Sequence, residues 1–134
     1  MKREAQLPPS LDDFEALAAQ AWNTVPDAIR DLCGSVEIFV ADFADEATLD
    51  AVEADDAFDL TGVYIGIDLT EKSGGDPNGH MDRVILFRRP ILDEWAGHGD
   101  VDLADLVSHV LIHEIGHHFG LSDDDMHAIE ASTR

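Results

Sequence analysis

The chain has 134 residues, and its 29 Asp+Glu against 8 Lys+Arg give a formal net charge of −21 with His neutral. This length suits one domain with a real core, is too short for two of ordinary size, and its 45% apolar share is that of a folded protein. The acidity repels phosphate backbones, so neither nucleic acid nor an anionic membrane is an expected partner.

Residues 1–9 read as a flexible arm, since Pro8-Pro9 block helix there, and 10–134 as the single domain. Ser10 is a candidate N-cap. Leu11, Phe14, Leu17, Ala18, Ala21 and Trp22 follow at helical spacing, which predicts a helix over 11–23. Pro26 suits the first turn of a second short helix, ended by Gly34. The β-branched run 36–40 predicts a strand, and 45–54 a short acidic helix. A second strand is expected over 62–69, where glycines hint at a bulge or a close backbone approach. Residues 72–79, KSGGDPNG, form the clearest loop. A third strand over 83–88 should stop at Pro90, leaving 91–96 for one or two helical turns.

The longest predicted helix runs from Asp100 to Phe119, with Asp100 or Asp102 as its cap. Its apolar positions cover so wide an arc that the helix must be largely buried. Gly120 marks its end, and a short acidic helix over about 123–131 closes the chain. The order ααβαββαα suggests a small α+β domain.

Inside the long helix stands His113-Glu114-Ile115-Gly116-His117. Two His four residues apart differ by ~40° around the axis and ~6 Å along it, so both imidazoles leave one face and can converge on one ion. Glu114 is offset by ~100°, beside such an ion, where it can accept a proton from a water. That is the logic of zinc hydrolysis. With this composition a random H-E-x-x-H arises in roughly 1 chain in 40; requiring the Gly at 120 and the Asp at 123 lowers this to about 1 in 4,000. A left-handed turn at Gly120 would fold Asp123 back toward the two His as a third ligand. The alternative reading makes Ser122 or Asp123 simply the N-cap of the last helix.

HEIGHHFGLSDDDM resembles the H-E-x-x-H-x-x-G-x-x-D motif of small bacterial zincin-like metallopeptidases, formerly a domain of unknown function. Leu60–Tyr64, Ile67–Thr70 and Asp82–Pro90 are also similar to that family, and the resemblance covers roughly residues 27–130. It implies a minimal zincin fold: a mixed sheet of three or four strands packed on a buried active-site helix. It also implies one Zn2+ per chain on His113, His117 and Asp123, with Glu114 as general base. The metzincin third His is absent, so Met126 is not a Met-turn.

Other residues remain candidates. His109 shares the stripe of His113 and reads as a supporting or core residue. His127 and Glu130 are rival third ligands. His118, four residues after Glu114, is either its hydrogen-bond partner or simply exposed. An oxyanion electrophile is open among Tyr64, His80, His98, Arg83 and Arg88. The single cysteine, Cys33, excludes an internal disulfide and reads as a small buried apolar group. Trp22 and Trp95 read as packing, and the acidic pairs as solvated faces. The start of the chain has no apolar leader segment, so a cytoplasmic protein in a reducing compartment is expected.

The expected activity is zinc-dependent hydrolysis of a peptide or flexible protein segment by a monomer. The competing reading is a non-catalytic binding module in which zinc only ties the last helix down. A small zinc ribonuclease is disfavoured by Glu114 and by the charge.

Overall fold

The computed structural model describes residues 8–66 and 82–132, with side chains through 129. Helix α1 spans Leu11–Thr24 and is opened by a reciprocal capping box. Asp13 N–H donates to Ser10 Oγ at 3.1 Å, and Ser10 N–H donates to Asp13 Oδ2 at 2.9 Å. Helix α2 (Asp27–Cys33), strand β1 (Val36–Ala41) and helix α3 (Glu46–Ala51) follow. After a 3-10 turn at Ala57–Asp59 come β2 (Gly62–Ile65) and β3 (Asp82–Phe87). Helices α4 (Arg88–His98), α5 (Leu103–His118) and α6 (Asp123–Ser132) complete the chain.

The sheet is mixed and three-stranded, in the order β1-β3-β2. Strand β3 runs parallel to β1 and antiparallel to β2. As the central strand it is covered, which is why Val84, Leu86 and Phe87 are all buried. The core joins α1, the sheet and α5 through Phe14, Ile29, Leu86, Ile91, Leu111 and Ile115, none of them solvent-exposed. Eight residues of α5 are buried, so the active-site helix of the sequence reading is also the spine of the core. This is the small α+β architecture expected.

Two elements depart from expectation. Strand β3 ends at Phe87, and α4 begins at Arg88 and runs for 11 residues. Pro90 does not break the chain there. It lies in the first helical turn, where the N–H it lacks would have no intrahelical acceptor. Arg88 is therefore a helix residue, and it ties distant segments together. Its Nε donates to the Pro9 carbonyl at 2.6 Å and its Nη1 to Asp42 at 2.8 Å. Strand β2 is four residues long; the Ile67–Leu69 part of the predicted strand and the loop over 72–79 lie outside the described residues. No described helix is long and apolar enough to cross a membrane.

Candidate metal centre

The end of α5 and the start of α6 are joined by the four residues 119–122. Asp102 caps the start of α5 by accepting from the Ala104 N–H at 3.1 Å. At the other end Gly120 takes φ +81°, a left-handed conformation natural to glycine. The Gly120 N–H donates to the His117 carbonyl at 3.1 Å, and the Leu121 N–H to the Gly116 carbonyl at 2.8 Å. These two bonds are the Schellman pattern, and they reverse the chain sharply.

Ser122 then caps α6. The Asp125 N–H donates to Ser122 Oγ at 3.0 Å, and the Ser122 N–H donates to Asp125 Oδ2 at 3.1 Å. This second capping box makes Ser122 the N-cap of α6. The cap is supplied by the neighbours of Asp123, and the Asp123 carboxylate points to the two His. Its Oδ1 lies 3.3 Å from His117 Nε2 and 3.5 Å from His113 Nδ1.

His113, His117 and Asp123 offer donor atoms that all lie within 4.8 Å of one another. A tetrahedral ion with bonds of ~2.0–2.1 Å needs donors ~3.3–3.4 Å apart. The His117–Asp123 edge, at 3.3 Å, has that length, and the His113–Asp123 edge, at 3.5 Å, is close to it. Two imidazoles and a carboxylate are also the chemistry of a zinc site with an open position, so these residues fit zinc. The side chain of His113 is 16% exposed, whereas those of His117 and Asp123 are 56% and 70% exposed. The triangle is thus backed by the protein on one side and faces water on the other.

Glu114 is half-buried against β2. A β-carbon on Gly62 would stand only 3.1 Å from Glu114 Cγ, so the glycine leaves room for the carboxylate stem. Burial pushes its carboxyl up to about 7, with the charge of His117 pulling the other way.

The remaining candidates fall elsewhere. His109 lies with its ring centroid 3.9 Å from that of His113, so it packs on a donor of the triangle and is outside the triangle itself. His127 is further away, its ring centroid 6.5 Å from that of His113. His118 stacks on Tyr64 at 4.0 Å and 18° between planes. The Tyr64 hydroxyl donates to the buried Asp82 at 2.7 Å, and burial together with that bond raises its pKa. Tyr64 lies opposite Val84, so this is a diagonal pair across β2 and β3, and its hydroxyl is engaged away from the donor triangle. Arg88 is occupied by Pro9 and Asp42, and Arg83 is exposed on β3. His98 lies 3.5 Å from Glu94. His80 and the Glu130 side chain lie outside the described residues. Trp95 donates to the Val101 carbonyl at 2.6 Å, and Cys33 is buried, as expected of packing residues.

Two contributors were not placed beforehand, although the glycines of the second strand hinted at a close approach without naming what approaches. Gly62 makes space for Glu114, and Gly116 makes space for Met126. The second had a signal: glycine inside a helix costs about 1 kcal/mol relative to alanine, which asks for a packing reason.

A helix bearing H-E-x-x-H, backed by a mixed sheet and followed by a returning carboxylate, is the arrangement of a zincin. The family model for zincin-like metallopeptidases matches residues 33–133, and the chain belongs to that family. No curated protein matches the chain.

Proposed function

We propose that this protein is a zinc-dependent peptidase holding one Zn2+ per chain on His113, His117 and Asp123, with Glu114 as general base. The observation that carries the reading is the donor triangle: two edges of 3.3 and 3.5 Å, at or close to tetrahedral spacing, and an exposed outer side for water and substrate. Bound there, zinc polarises a water and lowers its pKa toward ~7.

The protein groups do the rest. His113 and His117 are fixed one turn apart on a helix that cannot move without disturbing the core. Asp123 reaches them across the Gly120 turn. Glu114 takes the proton as water attacks the peptide carbonyl and passes it to the leaving amine. Its half-buried position beside β2 keeps it near neutrality in proton affinity, which suits a group that must both accept and donate. Strand β3 is paired on both sides and has no edge to offer, whereas among the described residues β2 pairs with β3 alone. An extended peptide added to β2 would run beside Gly62 and hence beside Glu114. The expected substrate is a peptide or flexible segment, processed by a monomer.

The test is Glu114→Gln. It should retain zinc at wild-type stoichiometry and lose peptidolysis by about 10²–10⁴-fold. Full activity in that variant would overturn the mechanism, and zinc binding without peptidolysis in the wild type would favour the binding-module reading.

A further inference from the structure

A cavity of about 720 Å³ opens beside the donor triangle, between the end of α1, the end of α4 and the first turns of α5. Its floor is apolar and buried: Pro26, Leu106 and Ile112. Its rim is acidic, with Glu94 from α4 and Asp105 from α5, both exposed. Thr24 and Ser108 face each other across it with hydroxyls 3.3 Å apart. Among the described residues no lysine or arginine lines it.

The cavity adjoins the metal centre at His109, which is the lining residue in contact with a member of the donor triangle. Asp105, His109, His113 and His117 follow one another every four residues along α5. His109 lines the cavity and packs its ring on His113. From Asp105 to His113 the helix rises ~12 Å, and His109 lies ~6 Å from each. A long side chain leaving a substrate held at the donor triangle would have to pass His109 along this stripe to enter the cavity.

We infer that this cavity receives a basic side chain, arginine or lysine, of the substrate residue next to the cleaved bond; the inference rests on the peptidase reading above. The aliphatic stem lies on Leu106 and Ile112, as such stems do on apolar surface, and the cationic head meets Glu94 and Asp105. Glu94 lies 3.5 Å from His98, so its carboxylate is turned toward a hydrogen-bonding group on this side of α4. The net charge of −21 acts in the same direction, drawing cationic peptides to the whole surface. An acidic side chain would meet two like charges and no lysine or arginine among the described lining residues.

The test uses the full chain loaded with zinc. Methyl NMR of Leu106 and Ile112 follows titration with N-acetyl-arginine amide, N-acetyl-norleucine amide and N-acetyl-glutamate amide. The arginine probe should produce saturable shifts at both residues and bind about tenfold better than norleucine, with glutamate weakest. The double variant Glu94→Gln/Asp105→Asn should bring the arginine-to-norleucine ratio close to one. If that variant does not fold, raising salt from ~50 to ~500 mM in the wild type must shrink the same ratio. Equal binding of arginine and norleucine, or a ratio insensitive to both changes, overturns the assignment.

A matched peptide set with arginine, norleucine or glutamate next to the cleaved bond separates this inference from the one beneath it. Arginine-selective shifts with no peptide cleaved would remove the peptidase reading and leave a cation-selective cavity. Cleavage without basic preference would remove the cavity assignment and leave the peptidase.

Discussion

The sulfur of Met126 fills the space where Gly116 lacks a side chain: a β-carbon on Gly116 would stand 2.1 Å from Met126 Sδ. Met126 is fully buried, and it lies on α6 one turn after Asp123. The contact seats α6 on α5 and so sets where the Asp123 carboxylate falls. Gly116 is the fourth residue of the H-E-x-x-H run, and the glycine there is explained by packing rather than by metal chemistry.

Gly116→Ala is therefore expected to push α6 away and weaken the centre without touching a donor. Overpacking of this kind costs about 1–3 kcal/mol. Zinc affinity measured by competition with a chelator should fall together with thermal stability. Unchanged zinc affinity would mean that Asp123 does not depend on the Met126 seat.

Gly62→Ala tests the opposite wall. The new methyl would lie 3.1 Å from Glu114 Cγ and 3.3 Å from the Ile85 carbonyl, so the neighbours must give by a few tenths of an ångström. Zinc content should stay at wild-type level while kcat falls about tenfold, because a catalytic group displaced by a fraction of an ångström loses alignment. A fall in zinc content with kcat per bound zinc unchanged would contradict this.

Zinc held by the folded donor triangle, as proposed, would have no equivalent site among the dispersed residues of the unfolded chain. At a free concentration a hundredfold above Kd it should add about 2.7 kcal/mol and raise Tm by roughly 10 °C. Asp123→Asn should remove most of that rise and His127→Ala little of it, as read by thermal melts with and without chelator. The reverse ranking would make His127 the third ligand.

Cys33 supplies a pH prediction that is independent of the metal. Burial raises its thiol pKa above the ordinary 9.0, the nearby Tyr64 hydroxyl opposes this, and the Asp82 charge adds to it. The folded state holds the thiol proton more tightly than the unfolded state. The associated stability is complete below pH 9 and is lost as pH rises through the raised folded value. Native protein at pH 8 should resist iodoacetamide, and denatured protein should react. Cys33→Ala should show a smaller decline in stability above pH 9 than the wild type. Rapid alkylation of the native chain would refute the buried placement.

What the sequence revealed followed the range of the interactions. The donor stripe of α5, the Gly120 turn and the caps of α1 and α5 are set by residues within about six positions of each other, and local rules read them. The ambiguity at Asp123 was also local, but both readings obeyed the same cap rule. The structure assigns the cap to Ser122, paired with Asp125, and leaves the Asp123 carboxylate beside the two His. The parallel β1–β3 pairing, the Tyr64–Asp82 diagonal bond and the Gly62–Glu114 approach join residues far apart in the chain, and no periodicity encodes them. The length of α4 was misread because proline was treated as a terminator, although its effect depends on which turn of the helix it occupies.

All three donors fall within residues 113–123, so an ion joining them closes only a very short loop of chain. Such a link restrains α6 against α5 and does little to cross-brace the sheet. Removal of the ion should therefore loosen the last helix as a separate cooperative unit, with faster amide exchange there, while β1, β3 and the body of α5 stay protected. The core would persist as a scaffold with its closing helix unlatched, ready to be refastened by the returning cation.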